Sequence, residues 1–289
     1  MGDVHEREIA VDRGTVVLRY LEAGQGRPIV MLPGWSQTAE LYRDQVRALS
    51  HEHRVIALDH RGHGRSDAPD VGYHVHRVAA DLHDVLTTLD LRDVTLLAHS
   101  MGCAVSWAYT ELFGTARLDS LVLIDQMASV LRNPAWSDEE AEAVGAIVDV
   151  DSLFGFTNGL RNGGDDPRVA FLEQVTSEGI HPSTLDRLIE QNLLFDRVHA
   201  AGLLFDTASF DWRDAVEVIG LPTLIISGDS VNVPIRSQQW LHEHIGGSQF
   251  TRMTARSGGT HFPFVENPDA FTKTVATFLA SRPSLVAAG

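Results

Sequence analysis

The chain has 289 residues, 44% of them hydrophobic and 21% charged, a balance that fits a large globular domain with room for an insertion and excludes wholesale disorder. The 39 Asp and Glu outnumber the 23 Lys and Arg, for a formal charge of −16. Such a surface repels polyanions, so nucleic acid is excluded as a partner and the charge is read as an aid to solubility. The single cysteine, Cys103, excludes an intrachain disulfide and fits a reducing, cytoplasmic setting.

The segment Met1 to Glu6 has no basic stretch followed by an apolar one, so no secretory signal is expected. Glu6 breaks the myristoylation pattern. No apolar run approaches the roughly 20 residues that cross a bilayer. In chain order, short apolar runs predict strands at Val16–Tyr20, Pro28–Leu32, Val55–Leu58, Val94–Ala98, Leu121–Ile124 and Thr223–Ser227; runs without alternation suit strands buried on both faces of a parallel sheet. Between them, Val75–Leu89 sets Val78, Leu82, Val85, Leu86 and Leu89 on one helical stripe, and Pro268–Ala280 reads as a closing helix. Alternating buried strand and helix predicts a doubly wound α/β domain.

Residues 128–212 break this rhythm. Ser137 opens a capping-box helix, and Asn162 to Pro167 is a turn cluster. Six of the twelve Phe fall there, with Trp136 and Trp212. This predicts a helical lid whose inner face, with Trp136, Phe154 and Phe156 as candidate wall residues, lines an apolar pocket. The expected organisation is a core of residues 1–127 and 213–282, a lid of residues 128–212, and a frayed tail over residues 283–289.

Four motifs carry chemistry. Ala98-His99-Ser100-Met101-Gly102 follows an apolar strand and opens an apolar helix. That is the context of a nucleophile elbow, which tolerates only small residues two positions to either side of the Ser. The Met101 N–H then sits at a helix N-terminus, able to donate to an oxyanion. Leu32-Pro33-Gly34-Trp35 ends another strand and can offer the Trp35 N–H as a second donor. Asp59 to Ser66 is a turn rich in Gly and His. Gly258-Gly259-Thr260-His261-Phe262-Pro263 puts a His on a late Gly-rich loop, where a base can reach a distant Ser. His74, His76, Asp81 and His83 resemble metal ligands in composition alone; no metal and no cofactor is expected.

Together the motifs resemble the α/β-hydrolase superfamily over residues 15–127 and 215–282. The resemblance implies a mostly parallel sheet with an inserted lid, Ser100 as nucleophile, His261 as base, and Trp35 and Met101 as oxyanion donors. The Asp59 to Ser66 stretch matches a structural turn of the family. The acid departs from the common pattern: three residues beyond Gly228 stands Val231, with Asp229 out of step, while Asp125 ends the preceding strand. Enzymes like zearalenone lactonase and the cofactor-free 3-hydroxy-4-quinolone dioxygenases take their acid from that strand, so Asp125 is favoured, with Asp229 as the alternative. The implied activity is hydrolysis of an ester or lactone of a hydrophobic small molecule. The alternative is cofactor-independent dioxygenation by the His261–Asp125 dyad, against which Gln37 stands where that group offers a His. Trp35, Gln37, His99 and Gln126 are further candidates for substrate contact. The oligomeric state is open.

Overall fold

A computed structural model describes residues 3–282; the predicted tail lies outside this range. One eight-stranded sheet organises the chain: β1 (His5–Val11), β2 (Val16–Ala23), β3 (Arg27–Leu32), β4 (His53–Leu58), β5 (Val94–His99), β6 (Leu118–Ile124), β7 (Thr223–Ser227) and β8 (Gln249–Arg252). Their order is β1-β2-β4-β3-β5-β6-β7-β8. The β1–β2 and β2–β4 pairs are antiparallel and the pairs from β4 to β8 are parallel.

Period-two alternation divides each apolar strand between two cores. Val30, Leu32, Leu96, Ala98, Leu121 and Leu123 face the helices at Val75–Thr88 and Met101–Phe113. Ile29, Met31, Leu97, Val122, Ile124 and Ile226 face the opposite side, with Val46, Phe271, Val275 and Phe278 of the helices at Arg43–Leu49 and Pro268–Ala280. Burial on both faces is why these strands carry no polar alternation.

The strand order reverses at β3. The chain runs from β3 outward to β4, then returns to place β5 on the other side of β3. The carboxyl ends of β3 and β5 therefore diverge into separate loops at a topological switch point, where open α/β sheets hold their ligands. Between the neighbouring strands β6 and β7, the chain makes helices at Asp138–Val144, Val150–Asn162, Asp166–Val175, Pro182–Leu193 and Arg197–Ser209. This excursion leaves and returns at one place: Ser129 bridges Asp211, and Trp212 N donates to Ala128 O at 2.8 Å.

Candidate active site

Ser100 sits between β5 and the helix at Met101–Phe113 with φ 51° and ψ −125°, a strained left-handed turn for a residue bearing a Cβ. Its N–H donates to Ile124 O of β6 at 2.9 Å, which pins the turn to the adjacent strand. The turn is tight enough to dictate its neighbours: a Cβ on Gly102 would stand 2.3 Å from Leu32 O, and one on Gly34 would stand 3.0 Å from Ser100 Cβ. Met101 opens the helix, so its N–H has no acceptor within the helix.

The loop after β3 makes a second turn against Ser100. Gln37 N donates to Gly34 O at 3.2 Å. Across the trans Gly34–Trp35 peptide, the Trp35 N–H points the opposite way, out of the turn. The Trp35 indole Nε1 donates to Ala200 O at 2.7 Å.

His261 and Asp125 meet directly. His261 Nδ1 donates to Asp125 Oδ2 at 2.8 Å, and Gly228 N donates to Asp125 Oδ1 at 2.9 Å. Asp125 is fully buried at the end of β6 with φ 50°. Asp229 lies elsewhere: Arg252 Nε donates to its Oδ1 at 2.7 Å and Ala255 N to its Oδ2 at 3.0 Å. Against the penalty of its partial burial, the Ala255 N–H and the Arg252 guanidinium hold the Asp229 carboxyl below its ordinary pKa.

Ser100, Met101, Trp35, Gln37, Gln126 and His261 line one cavity of about 340 Å³. Its remaining wall is largely apolar and comes mostly from the 128–212 segment, including Val130, Leu153, Phe156, Phe171 and Leu204. Among the described residues that line it, none is Asp, Glu, Lys or Arg. A larger groove of about 690 Å³ runs past Glu6, Arg19, Arg65 and Glu190, but it is lined by mutually paired charges such as Arg65 with Glu6 and Arg19 with Glu8 and holds none of the residues above.

Three predicted contacts are corrected. His99 points away from the cavity and is fully buried; its Nε2 donates to His261 O at 2.7 Å and its Nδ1 lies 3.0 Å from Gln37 Oε1. Burial, then the neighbouring His261, push its pKa well down. Trp136 stacks under Arg213, whose Cζ is 4.1 Å from the ring centroid. Phe154 is 56% exposed and packs on Phe205. Of the six Phe in the 128–212 segment, only Phe156 and Phe171 line the cavity; Phe195 stacks on His63, and Phe210 packs at a tilt against Trp212.

The histidines of the Asp59–Ser66 turn and of the 74–83 stretch have structural partners. His60 Nε2 donates to Pro33 O at 3.1 Å, and His63 Nε2 accepts from Ser36 N at 3.2 Å. His74 caps a helix by accepting from Arg77 N, His76 packs on Trp212, and His83 stacks on Phe113. Asp81 makes a buried bidentate pair with Arg61 at 2.6 and 2.7 Å. Among the described residues, no group of three or more His, Cys, Asp or Glu has the geometry to hold a metal. No helix of the described chain is long and apolar enough to cross a membrane.

Comparison with known proteins agrees with this architecture. The family profile for the alpha/beta hydrolase fold matches residues 27–268. The chain is 32% identical over 236 residues to non-heme chloroperoxidase CPO-A1 of Kitasatospora aureofaciens, covering 78% of this chain and 82% of that protein. The bromoperoxidase from Bacillus anthracis superposes with a TM-score of 0.86 at 25% identity, covering 96% of this chain and 100% of the other. An esterase from Exiguobacterium antarcticum shares the fold with a TM-score of 0.85 at 23% identity, over 95% and 99% of the two chains. A profile match spanning most of the chain, on a sheet with this strand order, establishes that the chain belongs to the alpha/beta hydrolase family.

Proposed function

We propose that the protein is a serine hydrolase that cleaves an ester or lactone of a neutral, hydrophobic small molecule, with residues 128–212 acting as its lid. The observation that carries this reading is the convergence on one cavity of the strained Ser100 and of His261, whose Nδ1 is held 2.8 Å from the buried Asp125 carboxylate. In the reaction, His261 Nε2 takes the Ser100 Oγ proton while Oγ bonds to the substrate carbonyl carbon. The resulting oxyanion accepts from the Trp35 and Met101 N–H groups, and Asp125 faces the imidazolium. Collapse expels the alcohol oxygen, which takes the proton from His261. Water then repeats the sequence on the acyl-enzyme and frees the acid.

The apolar wall and the lack of charged lining side chains favour a neutral substrate. Similarity to a chloroperoxidase favours a second use of the same acyl-enzyme, with hydrogen peroxide replacing water to release a peracid that oxidises halide.

The test is turnover of a p-nitrophenyl ester panel by the parent and Ser100→Ala, with fluorophosphonate labelling of both. The proposal expects hydrolysis and labelling that disappear in the variant; equal labelling of the variant removes Ser100 as nucleophile. Parallel assays with peroxide and chloride, and with 3-hydroxy-4-quinolones under O2, separate the other chemistries. Ring cleavage that survives Ser100→Ala would establish the dioxygenase alternative in place of hydrolysis.

A further inference from the structure

Ser36 follows Trp35 and has φ 63°. It occupies the third position of the Gly34–Gln37 turn, where a positive φ ordinarily calls for Gly or Asn. A Ser there is strained unless its surroundings hold it. Its surroundings do so from two directions. Its N–H donates to His63 Nε2 at 3.2 Å. Its Oγ donates to Asn192 O at 2.5 Å and accepts from Arg168 Nη1 at 3.0 Å.

Arg168 belongs to the helix at Asp166–Val175 and is only 1% exposed. Its Nη1 also reaches Asn192 O at 2.7 Å and Phe195 O at 2.8 Å, and its Nε is buried without a partner. All of these acceptors are neutral oxygens. Its Cζ lies 5.9 Å from the Trp35 ring centroid. A buried cation held by neutral oxygens is expensive, and this one is placed beside the turn that carries Trp35, a residue of the cavity wall.

We infer that Arg168 is a positioning residue for the oxyanion site. It reaches from the 128–212 segment through the Ser36 hydroxyl to fix the strained turn, and so aims the Trp35 N–H. The inference rests on the assignment of that N–H as an oxyanion donor. It makes formation of the oxyanion site depend on the seating of the overlying helices. Arg168 itself lines no part of the cavity, so it acts on the reaction through the residues it holds.

Two variants and their combination test this. Arg168→Met keeps the aliphatic stem and removes the donors. Ser36→Ala removes only the hydroxyl and leaves the bonds from Arg168 to Asn192 and Phe195 in place. Each is expected to lower kcat about 100-fold, the scale of a misaimed oxyanion donor, with KM within about threefold. Affinity for an aryl trifluoromethyl ketone, which presents a tetrahedral oxyanion, should fall by the same factor as kcat/KM. The double variant should be no worse than the weaker single variant, because both break one path. If Arg168 merely caps the helix ends around Asn192 and Phe195, Ser36→Ala keeps parental kcat, which overturns the inference; where both single variants are impaired, additive losses in the double variant overturn it as well. Should Arg168→Met fail to fold, kcat and ketone affinity of Ser36→Ala decide alone. A parent that neither hydrolyses esters nor takes up fluorophosphonate removes the hydrolase reading and this inference together. An active parent with an unimpaired Ser36→Ala removes this inference only.

Discussion

Replacing Asp125 by Asn isolates the contribution of one carboxylate with almost no change of shape. Asp125 now accepts two hydrogen bonds, from His261 Nδ1 at 2.8 Å and Gly228 N at 2.9 Å. An Asn has one acceptor oxygen and one NH2. The Gly228 N–H is a fixed backbone donor, so it claims the oxygen and the NH2 turns to His261. Nδ1 must then be the acceptor and the ring proton moves to Nε2, the atom that has to receive the Ser100 proton. The opposite amide orientation sets NH2 against the Gly228 N–H, leaving a buried donor unpaired at about 1–3 kcal/mol. The first orientation loses the reactive tautomer, the second keeps it only at that cost, and both lose the counter-charge for the imidazolium. The expected loss is about 10⁴-fold in kcat, equivalent to about 5 kcal/mol of transition-state stabilisation. The assay is steady-state hydrolysis of a p-nitrophenyl ester, with circular dichroism to verify folding. Asp229→Asn, whose carboxylate faces Arg252 and Ala255 N, should stay within about threefold of the parent. A larger loss for Asp229→Asn than for Asp125→Asn, or an Asp125→Asn within tenfold of the parent, would refute this assignment of the acid.

Burial holds His60 near pKa 4 and His63 near 3, from an ordinary 6.5, and pushes His99 well down. These groups are neutral when folded and take up protons on unfolding, so their contribution is complete above about pH 6.5 and is lost as pH falls towards their folded values. Asp59, raised by burial from 3.8 to about 6, works in the opposite sense between those two values. Near pH 5 unfolding should take up about 2 protons net, at most about 2.7 kcal/mol of stability per pH unit; urea midpoints at pH 7 and 5 measure it, and equal midpoints would contradict it. Gly102→Ala forces a Cβ to within 2.3 Å of Leu32 O and should cost about 3 kcal/mol or more in thermal or urea unfolding. Gly155→Ala, within a helix and with nothing within 4 Å of the new Cβ, should be neutral or stabilising by up to about 1 kcal/mol. Phe171 lines the cavity and packs edge-on to Trp35, whereas Phe154 faces solvent. Across an acyl-chain series, Phe171→Ala should therefore flatten the rise of about 0.8 kcal/mol per buried methylene, and Phe154→Ala should leave the slope of log kcat/KM unchanged.

The interior parallel strands were legible because burial on both faces demands apolar runs, as at Ile29–Leu32 and Leu121–Ile124. β1 and β8 were not. At the edges of the sheet, His5–Glu8 and the ends of Gln249–Arg252 face solvent, so neither segment carries an apolar run. In the 128–212 segment, aromatic content proved a weaker guide than helical phase. Leu153, Thr157 and Leu160 form the buried stripe of their helix, and Phe156 stands three residues from Leu153 on that side. Phe154 is only one position, about 100°, from Leu153 and falls to the solvent side.

Ser36, Arg168 and Asn192 had no signal of this kind, since their meeting depends on how separate helices seat over one turn. The carboxylate partner of His261 shows the limit most clearly. Ile124 and Ile226 pair across β6 and β7, so Asp125 and Asp229 leave the same edge of the sheet only a few residues apart, and both are close to where a carboxylate could reach His261. What separates them is the path of the chain after β7. A Cβ on Gly228 would stand 2.0 Å from Thr260 O, so the strand exit crosses directly against the His261 loop. That crossing turns the Gly228 N–H onto Asp125, while the next residue's N–H donates to Gly259 O at 2.7 Å. Asp229 is thereby directed outward to Arg252, 23 residues away in sequence. The choice between two chemically equivalent carboxylates thus follows from a backbone contact that only a Gly permits, and residue type alone carries no trace of which loop Gly228 must pass.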